Sequence, residues 1–137
     1  MAGKKHQVLN CPTLKVILFN CRSLGNKTYG VCEFLKENDC DLCFITEAWI
    51  KQKHESTIAE ICDLGFEIKL QSRKGSKRGG GVCVLYKPDL NVEKCCINTS
   101  YKSFEVLQIT VKSCCNLYRV STFYQSVYIL SYWESYY

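Results

Sequence analysis

A chain of 137 residues, 47% apolar and 23% charged, with eight glycines and two prolines, has the make-up of one folded domain with its own core. That composition excludes a disordered or collagen-like chain and leaves no room for two comfortable domains. The net charge of +5 is uneven: Lys69, Arg73, Lys74, Lys77, Arg78 and Lys87 fall in one stretch that holds no acid. Such a stretch suits a polyanion such as nucleic acid, and equally a solvated hairpin tip.

Residues 1–13 read as a polar lead-in. The longest uncharged apolar stretch near the N-terminus is Val16–Phe19, too short for a signal peptide or a membrane span. An intracellular chain, nuclear or cytoplasmic, with no membrane partner is therefore expected. Leu14–Asn20 is a continuous apolar run that suits a strand covered on both faces. Asn26 or Thr28 can cap a helix running through Asn38, with Val31, Phe34 and Leu35 on one face. Asp41–Thr46 is a second buried strand. Thr57 and Glu60 have capping-box spacing, and Gly65 stops the short helix that follows.

Strand-like segments then succeed one another: Phe66–Leu70, Val82–Tyr86, Val92–Ile97, Phe104–Lys112 and Leu117–Tyr124, separated by glycine-rich, Lys-Pro-Asp and Ser-Cys-Cys-Asn turns. The expected fold class is α/β (α+β), one mixed β-sheet with two early helices and antiparallel strands later. Residues 125–137 shift in composition: the last ten hold five aromatics and one charge, with high β-propensity and no clear period.

Eleven cysteines without a secretory leader suit reduced thiols acting as small hydrophobes. Cys40 and Cys43 form a C-x-x-C, but a strand sends residues three apart to opposite faces, which disfavours zinc.

Polar residues close the first two apolar strands, Asn20 and Glu47. If those strands are parallel neighbours joined by the first helix, both side chains emerge at the carboxyl edge where open α/β sheets bind ligands. A carboxylate beside an amide oxygen is a start for a Mg²⁺ site. The alternative is that Asn20 caps a turn and Glu47 faces solvent.

Three motifs in order, Asn20-Cys21-Arg22-Ser23-Leu24, Thr46-Glu47-Ala48-Trp49 and Arg78-Gly79-Gly80-Gly81-Val82, resemble the endonuclease/exonuclease/phosphatase superfamily. Within it, the chain from Leu14 to Tyr124 is similar to the N-terminal part of the apurinic-type endonuclease domain of non-LTR (LINE-like) retrotransposons. The resemblance implies a four-layer αββα sandwich of which this chain covers about the first half. It implies a hydrolase that nicks DNA with Mg²⁺ (Mn²⁺ possible), encoded beside a reverse transcriptase. Glu47 then corresponds to the metal-binding glutamate and Asn20 to the asparagine that organises metal and phosphate. Tyr124 corresponds to a tyrosine near the scissile phosphate, although the usual Arg-Pro after it is Gln125-Ser126 here. Arg73, Lys74, Lys77 and Arg78 would approach the DNA backbone.

The family's Ser-Asp-His motif does not occur in the chain, and the chain's one Asp-x-Asn, Asp89-Leu90-Asn91, lies in a turn before the Val92 strand and not at the end of a late strand. His6 and His54 precede the region where a catalytic histidine belongs. The expectation is a truncated, inactive endonuclease domain with its metal-binding half present. Apolar side chains of 82–86 and 104–112 would then lie bare and drive self-association. The alternatives are a non-catalytic nucleic-acid-binding remnant and a Cys-rich zinc or interaction module.

Overall fold

The computed structural model describes residues 13–50, 55–71, 80–96, 105–112, 116–125 and 128–136. In chain order its elements are β1 (Val16–Asn20), α1 (Thr28–Glu37), β2 (Leu42–Thr46), α2 (Glu55–Asp63), β3 (Glu67–Gln71) and β4 (Val82–Tyr86). They continue with β5 (Asn91–Lys94), β6 (Glu105–Lys112), β7 (Leu117–Gln125) and β8 (Tyr128–Tyr136). The α+β class expected from the sequence is observed. The single mixed sheet is not: the strands form two four-stranded sheets, ordered β1-β2-β4-β3 and β5-β6-β7-β8. The reason lies in β4, whose two edges are already taken by β2 and β3. After the Lys87-Pro88-Asp89 turn the chain has no free edge of β4 to return to, so β5 starts a new antiparallel meander with β6.

Side-chain alternation then builds three layers. Cys43 and Ile45 of β2, with Cys83 and Leu85 of β4, pack under Cys32 and Leu35 of α1 and Ile61 of α2. The opposite parity, Leu42, Phe44, Val82, Val84 and Tyr86, packs against Leu107, Ile109 and Val111 of β6 and Val120 and Tyr124 of β7. This corrects the expectation of bare apolar faces on 82–86 and 104–112: Val82, Val84, Leu107, Ile109 and Val111 are fully buried, each sheet covering the other. The stated ground for self-association is therefore absent on those faces. The other face of β6, with Val106, Gln108 and Thr110, is half-buried.

Local details also differ. Lys27 occupies the N-cap of α1 without a side-chain cap, and Thr28 Oγ1 donates to the Leu24 carbonyl instead (3.2 Å). The buried stripe of α1 is Thr28, Cys32 and Leu35, and Phe34 is 47% exposed, one position off that stripe. α2 begins at Glu55, which puts Thr57 inside the helix and not at its cap. Gly65, at φ +95°, does end the α2 turn. The strand β1 is half-buried at a sheet edge, not covered on both sides. The aromatic terminal segment forms β8, paired with β7 from Gln125↔Tyr128 to Leu117↔Tyr136.

Candidate functional site at the carboxyl edge of the first sheet

β1 and β2 run parallel with Asn20 opposite Thr46, and the same row continues through Val82 of β4 to Gln71 of β3. Both β1 and β2 thus end at one edge, with Asn20 exposed there and Glu47 the first residue beyond β2. The loops that follow are laced together by backbone hydrogen bonds. Cys21 N–H donates to the Thr46 carbonyl, Ser23 N–H to that of Glu47 and Leu24 N–H to that of Ala48. On the other side, Ala48 N–H donates to the Gly81 carbonyl (3.1 Å) and Trp49 N–H to that of Gly80 (2.9 Å). Lys27 Nζ donates to the Cys21 carbonyl (2.6 Å) and closes the first loop.

Left-handed backbone concentrates in these loops: Arg22, Ser23, Glu47 and Trp49 have φ between +46° and +81°, and two neighbouring glycines join them, Gly80 at +73° and Gly81 at +82°. A non-glycine residue held there costs roughly 1–3 kcal/mol and persists only where its surroundings enforce it. The lacing just described supplies that enforcement.

The second sheet contributes two groups to the same edge. Tyr124 ends the inward-facing series of β7, and its hydroxyl donates a short hydrogen bond to Glu47 Oε1. Glu105, opposite Tyr124 across the β6–β7 pair, accepts the Gly81 N–H through Oε2 (2.8 Å). Glu105 belongs to none of the three sequence motifs. Its signal was a carboxylate in register with Leu107, Ile109 and Val111, one acid on an apolar face.

Thr46 Oγ1 and Thr122 Oγ1 are buried and have no hydrogen-bond partner among the described residues. Thr46 shares the parity of Leu42 and Phe44 and so turns toward the second sheet, immediately before Glu47. The donors gathered around Glu47 are oxygens: a carboxylate, a phenol, an orphaned hydroxyl and, one row away, the Asn20 amide. Such a set fits a hard divalent cation such as Mg²⁺ or Mn²⁺, which binds through one or two carboxylates and keeps several waters. Among the described residues no group of three or more His, Cys, Asp or Glu could hold a metal.

The remaining expectations fall elsewhere. Arg73, Lys74, Lys77 and Arg78 lie outside the described residues, as do His6 and His54. Cys21, Cys32, Cys40, Cys43 and Cys83 are buried in the layer between helices and first sheet, and burial pushes each thiol up, that of Cys32 to about 11. Protonated thiols packed in an apolar layer serve as hydrophobes. Among the described residues no helix is long and apolar enough to cross a membrane.

Compared with known proteins, the chain matches no family model and no curated protein. Its structure is similar to that of an AP endonuclease from Archaeoglobus fulgidus, with a TM-score of 0.49 at 20% identity. The similarity covers 74% of this chain, which spans 38% of that one.

Proposed function

We propose that the chain is the cation- and DNA-binding part of a Mg²⁺-dependent phosphodiesterase domain of the retrotransposon endonuclease kind, and that alone it does not cleave DNA. The observation that carries this reading is the Tyr124–Glu47 hydrogen bond. It joins the strand-end residues of two sheets at the edge where the parallel pair β1–β2 terminates. Glu47 and Asn20 are the residues that would hold the ion, with Thr46 beside them. When bound, a divalent cation there would polarise a phosphate oxygen. Tyr124 orients the Glu47 carboxylate by occupying Oε1, so that the other oxygen is left to face a ligand. The basic residues 73, 74, 77 and 78 follow β3, which ends at this same edge with Gln71 opposite Val82. They supply the charge that would bring a phosphate backbone to it.

Turnover asks for more. General acid–base help is worth roughly 10²–10⁴-fold, and the orientation of reactants still more. The chain's one Asp-x-Asn, Asp89-Leu90-Asn91, lies in the turn that enters β5, and no Ser-Asp-His occurs, so the groups that would deliver that help are not found at the late strand ends.

The test is a Mn²⁺ titration followed by electron paramagnetic resonance, with nicking assays on supercoiled and abasic DNA. Mn²⁺ should bind the chain and weaken at least about ten-fold in Glu47→Ala, the order expected for loss of a ligand or its support. Neither DNA should be nicked above that variant's background. Equal Mn²⁺ binding by Glu47→Ala would overturn the site, and Glu47-dependent nicking would overturn the inactivity.

A further inference from the structure

We propose that Glu105 is a positioning residue for the Glu47 site, a carboxylate of the second sheet that fixes the Glu47 loop through the backbone of Gly81. The assignment rests on the cation-site reading of Glu47 and adds a residue that the sequence motifs do not contain.

Glu105 Oε2 accepts the Gly81 N–H at 2.8 Å. The Gly81 carbonyl accepts Ala48 N–H, and the Ala48 carbonyl in turn accepts Leu24 N–H. One continuous chain of donors and acceptors therefore runs from β6, through the loop holding Glu47, to the lead-in of α1. Gly81 is buried, so its N–H has no exchange with bulk water to fall back on if the carboxylate is removed. It also sits at φ +82°, where an added Cβ would be strained and would meet the Ile50 and Gln71 carbonyls at 3.7 and 3.8 Å. The position is thus built to present this N–H across the sandwich.

What the link holds is a strained segment. Glu47 and Trp49 are both left-handed, at φ +52° and +55°, and flank Ala48, whose N–H is the next in the chain. A strained loop relaxes once its enforcing contacts are lost. Glu105 also stands opposite Tyr124, whose hydroxyl engages Glu47 directly. The neighbouring residues thus fix Glu47 in two ways, Tyr124 its carboxylate and Glu105 its backbone. Groups that orient a ligand from behind change metal affinity by roughly 10–100-fold when removed.

The experiment compares the full chain with Glu105→Ala, Glu105→Gln and Glu47→Ala by Mn²⁺ titration and by backbone amide exchange in NMR. A glutamine oxygen can accept the same N–H, so Glu105→Gln should keep Mn²⁺ affinity within about two-fold, whereas Glu105→Ala should lose about ten-fold. In Glu105→Ala the Gly81 and Ala48 amides should exchange faster while those of Phe44 and Ile45 stay protected, which separates loosening of the loop from unfolding. Wild-type affinity in Glu105→Ala overturns the proposal. So does an equal loss in Glu105→Gln, which would make the carboxylate itself a ligand. If the unaltered chain binds no Mn²⁺, the cation reading fails on its own. The amide exchange then decides the positioning role, and unchanged Gly81 and Ala48 rates in Glu105→Ala overturn it.

Discussion

Lys87 reaches across the end of the first sheet opposite the site, to Asp39 at 2.5 Å and to Asp41 at 3.4 Å. Asp41 in turn accepts the Lys15 N–H at 2.8 Å, so the three charges brace the starts of β1 and β2 and the end of β4. The hydrogen bond from Lys87 holds the Asp39 carboxyl below its ordinary value, and the same contact holds the Lys87 ammonium above its own. The signs fix where the pair helps. Asp39 contributes fully above the unfolded carboxylate pKa of about 3.9 and loses its part as pH falls through its lower folded value. Lys87 contributes fully below about 10.4 and loses its part as pH rises through its higher folded value. Both side chains keep much of their hydration, so the gain is that of a surface pair, small and screened by salt. In a carboxyl NMR titration, Lys87→Met should move the Asp39 midpoint upward. An unchanged midpoint would mean that the contact is not populated in solution.

The strand β4 explains why this sandwich closes within one chain. All five of its residues are buried, Val82, Val84 and Tyr86 toward the second sheet and Cys83 and Leu85 toward the helices. Phe44 of β2 is the largest fully buried side chain in the layer between the sheets. Phe44→Ala should cost about 3–5 kcal/mol, a large part of a small domain's stability. Phe34→Ala, at a position 47% exposed on α1, should cost far less. Denaturant melts of the two variants give the comparison, and similar losses would refute the layer assignment. Much of this was legible in the sequence. Apolar runs and glycine stops located β1, β2, β4, α1 and α2, and the β1–β2 crossover followed from the helix between them. Sheet membership was not legible, because alternation tells which residues share a face but not which strand sits alongside. The cap of α1 was missed because Thr28 spends its hydroxyl on Leu24, a contact that depends on how the 21–24 loop folds back. Within the site, Asn20 and Glu47 stood out as polar residues ending apolar strands. Glu105 did not, since its partner is a glycine N–H 24 residues away in the chain.

The molecule as a whole is cationic, and its basic stretch belongs to the connection between β3 and β4. The two strands meet at Gln71↔Val82, in the row that also contains Asn20 and Thr46. The chain therefore leaves the sheet for Arg73, Lys74, Lys77 and Arg78 from the edge that carries Glu47, and returns to it at Gly80 and Gly81. Electrostatic attraction to a phosphate backbone releases counterions, and log affinity falls with log salt by about 0.9 per phosphate neutralised on duplex DNA. Binding to duplex DNA should accordingly be weak, indifferent to sequence and steep in salt. Replacing the four basic residues with serine should flatten that slope by up to about 3.6 if each meets one phosphate. Glu47→Ala should leave the slope nearly unchanged, because a carboxylate displaces no condensed cation from DNA. Fluorescence anisotropy across a salt series distinguishes the cases. A slope that survives the four substitutions would leave the basic stretch as a solvated turn. A slope that collapses with them would assign the phosphate contacts to the connection between β3 and β4.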